Sequence, residues 1–183
     1  MKRIIVSALS IISLSSMLNG EGLSDGSVGF IGIEVGNTQL RGSRYMNIYD
    51  GDSYNAFYDG SGVEIGLKLG AQNEEWRTTL AMSYYDNEDE DQNYEKANIM
   101  IDYFLANSET SGMSIKPYIG ASIGYMGYES TFIDESDLVY GGQAGIVLNS
   151  AMIDFDLSYR YSLYNGEQAD SMGTIMFGAN YLF

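Results

Sequence analysis

Four groups of residues in this chain have the types and spacing to do chemistry. Asp86-Asn-Glu-Asp-Glu-Asp91 is the densest charge run, and carboxylate oxygens are what Ca²⁺ prefers. It lacks the Gly and the later bidentate Glu of an EF-hand loop, so a solvated acidic loop and a divalent-cation site both stand as readings. Asp50-Gly-Asp52 is a weaker case of the same kind. Gly141-Gly-Gln-Ala-Gly145 is as glycine-rich as a phosphate loop, but it lies within a strand pattern and opens no helix, which assigns it to packing. Tyr45, Tyr49, Tyr54, Phe57 and Tyr58 crowd one polar stretch, as a recognition surface or as aromatics collapsed onto a rim. The fourth group is ten charges spread along the chain: the acids Glu34, Glu64, Asp102, Asp154 and Asp156, and the bases Lys68, Arg77, Lys96, Lys116 and Arg160. Five acids against five bases is the composition of an ion-pair network. The chain has no His and no Cys, which removes the usual general base, thiol nucleophiles, cysteine-held metals, disulfides and a lipoprotein anchor. No catalytic residue, cofactor or metal site is assigned, and the chain is expected not to be an enzyme.

The elements that position those ten charges are short alternating segments. The apolar positions read Ile31/Ile33/Val35, Val63/Ile65/Leu67/Leu69, Trp76/Thr78/Leu80/Met82/Tyr84 and Ala97/Ile99/Ile101/Tyr103/Leu105. They continue as Ile115/Pro117/Ile119/Ala121/Ile123/Tyr125, Leu138/Tyr140/Gly142/Ala144/Ile146/Leu148, Ile153/Phe155/Leu157/Tyr159/Tyr161 and Ile175/Phe177/Ala179/Tyr181/Phe183. Period two over about ten residues, repeated eight times, is the signature of a membrane β-barrel. No charge falls on the apolar face; all ten fall on the other, among Gly, Ser, Thr and Asn. A soluble ligand-binding barrel would need the reverse polarity. Charges inside a narrow barrel are costly unless paired, so the balanced set predicts an interior network in place of a charged channel.

Connections alternate in length. Residues 38–61, 86–95, 127–137 and 164–171 read as long polar loops, and 71–75, 106–112 and 149–150 as short turns. Outward aromatics collect toward both ends, with Tyr84, Tyr125, Tyr140, Tyr159 and Tyr161 near the loops and Trp76, Tyr103, Tyr181 and Phe183 near the turns. Two interfacial girdles follow. Pro117 removes a ladder donor, which a nearby turn or a bulge can accommodate.

The chain stops on Met172-Gly-Thr-Ile-Met-Phe-Gly-Ala-Asn-Tyr-Leu-Phe183. Its Gly178-x-x-Tyr181-x-Phe183 spacing resembles the terminal strand by which bacterial outer-membrane barrels are recognised for assembly. Together with the eight alternating segments, the chain resembles the small eight-stranded outer-membrane barrels, the family of OmpX and of the OmpA transmembrane domain. The resemblance implies an all-β, antiparallel up-and-down barrel in a Gram-negative cell envelope, with both termini periplasmic and the chain monomeric. It also implies contact with outer-membrane lipid and lipopolysaccharide, and with the barrel assembly machinery during biogenesis.

Met1-Lys-Arg followed by the apolar run Ile4–Leu14 reads as a secretory signal peptide over residues 1–20, leaving residues 21–183 as the barrel domain. A transmembrane helix would need about 20 apolar residues, and Asn19, Gly20 and Glu21 end the run too early. The formal net charge of −16, more negative by two once Lys2 and Arg3 leave, excludes nucleic acid as a partner. The expected function is a structural or surface-interaction barrel with an ion-paired lumen and acidic outer loops open to a surface partner or divalent cations. The competing readings are a narrow, low-conductance porin-like channel and, less favoured because His is missing, a lipid-modifying membrane enzyme.

Overall fold

A computed structural model describes residues 26–47, 53–87, 92–110, 112–130, 133–165 and 171–183. The signal segment, Asp50-Gly-Asp52 and residues 88–91 of the acidic run lie outside the described residues. Nine strands are present among those described: β1 (Val28–Asn47), β2 (Ser53–Gln72), β3 (Trp76–Asn87), β4 (Gln92–Phe104), β5 (Ser108–Thr110), β6 (Met113–Ser130), β7 (Ile133–Ser150), β8 (Ile153–Tyr164) and β9 (Ser171–Leu182). All pairings are antiparallel between neighbours in sequence, except that β4 also pairs with β6 and β9 returns to β1. Eight strands therefore close into a barrel. The three-residue β5 stands outside it, pairing only with β6 within the segment expected to be a plain turn.

Closure is sealed at the carboxy-terminal residue, where Phe183 N donates to Gly29 O at 2.9 Å and Gly29 N donates to Phe183 O at 3.1 Å. Along β8 exposure switches strictly from residue to residue, as period-two geometry requires. The apolar positions face outward: Ile33 is 64% exposed and Ile175 61%, whereas the neighbouring Met176 is 1% exposed. In water that arrangement would leave the largest apolar surface uncovered, so the exterior is built for lipid.

In the expected long loops 38–61, 86–95 and 127–137 all described residues are strand, whereas in 164–171 only Tyr164 and Ser171 are. β1, β2, β6 and β7 run for 20, 20, 18 and 18 residues, against 12 or 13 in β3, β4, β8 and β9. Twelve residues suffice for a tilted membrane strand. The additional length of β1 and β2 projects about 26 Å along the strand direction at roughly 3.3 Å per residue. Alternation ends where the lipid ends because neither face there must be apolar, yet the backbone ladder continues; periodicity alone therefore placed the strand ends too early. At the opposite, turn end, Pro117 pairs with Ile146 in unbroken register, without a bulge. Its carbonyl accepts from Leu105 N at 2.8 Å on the β4 side. Within a strand N–H and C=O of one residue point the same way, so the missing donor of Pro117 faces the end of β4 and takes no bond from the β6–β7 ladder. The β7–β8 connection is a tight turn with Ala151 at φ 55°, a left-handed conformation that favours glycine.

Candidate functional site

The site is the lumen, where side chains from seven of the barrel strands converge. Arg77 on β3 donates from Nε to Asp102 at 2.8 Å and from Nη1 to Asp156 at 2.9 Å. Lys68 Nζ lies 3.5 Å from both Asp156 and Glu34. Glu34 accepts two bonds of 2.7 Å from Arg160, a bidentate carboxylate–guanidinium pair. Arg160 Nε donates to Gln143 Oε1 at 2.9 Å, and Gln143 Nε2 returns to Asp102 at 2.5 Å. The path Asp102, Arg77, Asp156, Lys68, Glu34, Arg160, Gln143 and back to Asp102 is a closed ring carrying three acids and three bases. Each charge in it is buried. Tyr118 adds a hydroxyl bond to Asp156 at 2.8 Å and places its ring 4.4 Å from the Arg77 guanidinium.

Nearer the hairpin end, Glu64 has its own base. Lys96 Nζ lies 2.8 Å from Glu64 Oε1, while Oε2 accepts from Tyr94 at 2.5 Å and Thr38 at 2.7 Å. Glu34 and Glu64, like charges on paired strands, are thus divided between Arg160 and Lys96. Small residues make room for the long side chains. A Cβ at Gly178 would stand 2.6 Å from Lys68 Nζ, and one at Gly66 would stand 2.9 Å from Glu34 Cγ. Gly145, in the glycine-rich run of β7, would set a Cβ 2.7 Å from the Tyr118 ring, so that run serves packing.

Two charges of the expected network stand apart from it. Asp154 has no base within ion-pair distance among the described residues; amides hold it, Gln72 Nε2 and Asn149 Nδ2 each donating at 2.6 Å. Lys116 is half-buried, its Nζ 5.3 Å from the Phe104 ring centroid. Both sit closer to the turn end than the ring, and neither forms an ion pair with its members.

The inward face is also less polar than its sequence suggests. Leu40, Tyr85, Tyr94, Met126, Val139, Tyr164 and Met172 form one buried cluster at the hairpin end, with Tyr85 and Tyr94 stacked at 4.7 Å. Phe104, Tyr118 and Val147 form a second at the turn end. The charged ring lies between these two apolar layers. Such residues interrupt the polar alternation singly, one or two per strand, so only their convergence in three dimensions reveals a layer.

Among solved structures, the chain is similar to Neisserial surface protein A, with a TM-score of 0.62 at 15% identity over 87% of this chain and 100% of that one. It is also similar to the outer membrane protein AlkL, with a TM-score of 0.52 at 10% identity over 90% and 94%. The outer membrane enzyme PagL aligns at a TM-score of 0.48 and 16% identity over 83% and 98%. The chain has the fold of the small eight-stranded outer-membrane barrels. No protein-family model matches it, and no curated protein matches its sequence.

On this barrel Trp76, Tyr84, Tyr103, Tyr125, Tyr140, Tyr159, Tyr161 and Tyr181 all face outward and are exposed, as is Phe183. Trp76 and Tyr103 pack together at 4.8 Å near the turn end. The hairpin-side tyrosines do not mark strand ends, because β6 and β7 run on past Tyr125 and Tyr140. In the terminal strand Gly178 faces the lumen, while Tyr181 and Phe183 face outward. Asp86 is exposed near the end of β3. Tyr45, Tyr54, Phe57 and Tyr58 lie on the projecting parts of β1 and β2, and Tyr49 lies outside the described residues.

Proposed function

We propose that this chain is a structural, surface-interaction barrel of the bacterial outer membrane whose lumen does not conduct ions. Its short turns and both ends of the barrel domain face the periplasm, and its long hairpins stand outside, where they meet lipopolysaccharide or a surface partner. The observation that carries this reading is the closed ring from Asp102 through Arg77, Asp156, Lys68, Glu34, Arg160 and Gln143, held between two buried apolar layers. A conducting interior would need those side chains in water, whereas each ring charge is already bound to a counter-charge at low exposure. A non-enzymatic role accords with the same picture, since the ring carboxylates are committed to bases and the chain has no His.

Recording from purified protein in planar bilayers tests the proposal. Flat current traces in concentrated KCl are expected, with insertion verified by protection of the barrel from protease. Discrete, reproducible conductance steps from the intact chain would replace it with the narrow-pore reading.

A further inference from the structure

Among the fully buried lumen charges the acids outnumber the bases by one, the tenth inward charge, Lys116, being half-buried against the Phe104 ring. Glu34, Glu64, Asp102, Asp154 and Asp156 are buried acids, and Lys68, Arg77, Lys96 and Arg160 are buried bases. Ion pairs satisfy the other acids and leave Asp154, 1% exposed, with none among the described residues. An ionised carboxylate withdrawn from water without a counter-charge is strongly unfavourable.

Two of the amide side chains near it are incompletely used. Asp154 on β8 is the register partner of Asn180 on β9, so both side chains share the lumen face. Asn180 is 2% exposed, and neither its Oδ1 nor its Nδ2 has a hydrogen-bond partner. Gln72, which reaches Asp154 from β2 with its Nε2, keeps its Oε1 buried and partnerless. Buried amide groups are ordinarily paired, so two such side chains against one uncompensated carboxylate mark a place for a ligand.

We propose that this corner of the lumen binds one monovalent cation of the Na⁺ or K⁺ class, held by the Asp154 carboxylate, Gln72 Oε1 and Asn180 Oδ1. Neutral amide oxygens and a carboxylate are hard donors suited to such an ion. One positive charge supplies the counter-charge that Asp154 lacks; a divalent ion would overshoot it in a site with a single carboxylate. A water molecule satisfies the amides but leaves the charge. The remaining Asn180 Nδ2 donates to a water that completes the coordination. Access is from the turn end, past Asn149, which is half-buried beside Asp154. The ion would act as a removable counter-charge locking β2, β8 and β9 together.

The test titrates NaCl and KCl against N-methylglucamine chloride at constant ionic strength, using the whole barrel folded in detergent micelles. The side-chain amide resonances of Asn180 and the thermal midpoint are followed together. A saturable Asn180 shift and a rising midpoint in Na⁺ or K⁺, both absent in N-methylglucamine, are expected, and Asp154→Asn should abolish both. Should Asp154→Asn not fold, Gln72→Leu is expected to raise the half-saturating concentration at least about tenfold, and an unchanged value would overturn the proposal. Indifference of Asn180 to the identity of the cation would assign the corner to water or to a protonated Asp154. Saturation by Ca²⁺ well below the Na⁺ concentration would replace the monovalent ion by a divalent one.

Discussion

Replacing Arg77 by Ala removes the one side chain that joins Asp102 to Asp156. Arg77 is 3% exposed and bonds the two carboxylates at 2.8 and 2.9 Å. Its loss leaves Asp102 with only the Gln143 amide and Asp156 with the Tyr118 hydroxyl and a Lys68 ammonium at 3.5 Å. Removing one partner of a buried pair costs about 3–5 kcal/mol, because the surviving charge is left in a poorly solvated place. That loss corresponds to a roughly 100- to several-thousand-fold rise in the unfolding equilibrium constant. The assay is urea unfolding of the barrel in lipid vesicles, read by tryptophan fluorescence from Trp76 and by the gel-mobility difference between folded and unfolded barrel. Pairing Arg77→Ala with Asp102→Asn should restore about 1 kcal/mol or more, since the cycle relieves the orphaned carboxylate. A loss below about 1 kcal/mol for Arg77→Ala would mean that water replaces the guanidinium, and that the ring is not held out of water.

Other outcomes follow from the remaining surfaces. Ile101, 51% exposed on the lipid face of β4, should tolerate Arg only at a loss of about 2–4 kcal/mol of stability in bilayers; an unchanged urea midpoint would contradict the outward assignment. Deleting Phe183, or replacing it by Lys, should lower the amount of folded barrel in outer-membrane fractions more than Leu182→Lys does, and equal levels would count against a terminal assembly signal. Ala151→Gly should stabilise the barrel by about 1 kcal/mol by relieving its positive φ, measured by the shift in urea midpoint; no gain would mean that the turn carries no such strain.

Much of the lumen was legible in the chain because a β-strand has only two faces. Once Ile31, Ile33 and Val35 point to lipid, Glu34 must point inward, and the same step places Lys68, Arg77, Asp102, Asp156 and Arg160. Pair identities were less accessible. Arg160 meets Glu34 from a strand 126 positions away in the chain, and the match depends on strand stagger, which period-two alternation does not encode. The apolar layers were missed for a related reason: Tyr85, Met126 and Met172 each look like an isolated exception on a polar face until closure brings them together.

By itself the sequence determined the barrel's polarity, its number of strands and which positions alternate onto the inward face, since all three follow from alternation and the expense of placing charge in lipid. Only the tertiary structure decided how that set divides. Closure and stagger bring Arg77, Lys68 and Arg160 into one ring with Glu34, Asp102 and Asp156, give Lys96 to Glu64, and leave Asp154 among amides with Lys116 turned aside. Ion pairing requires approach within a few ångströms, and residues far apart in sequence acquire that proximity only when the first and last strands meet.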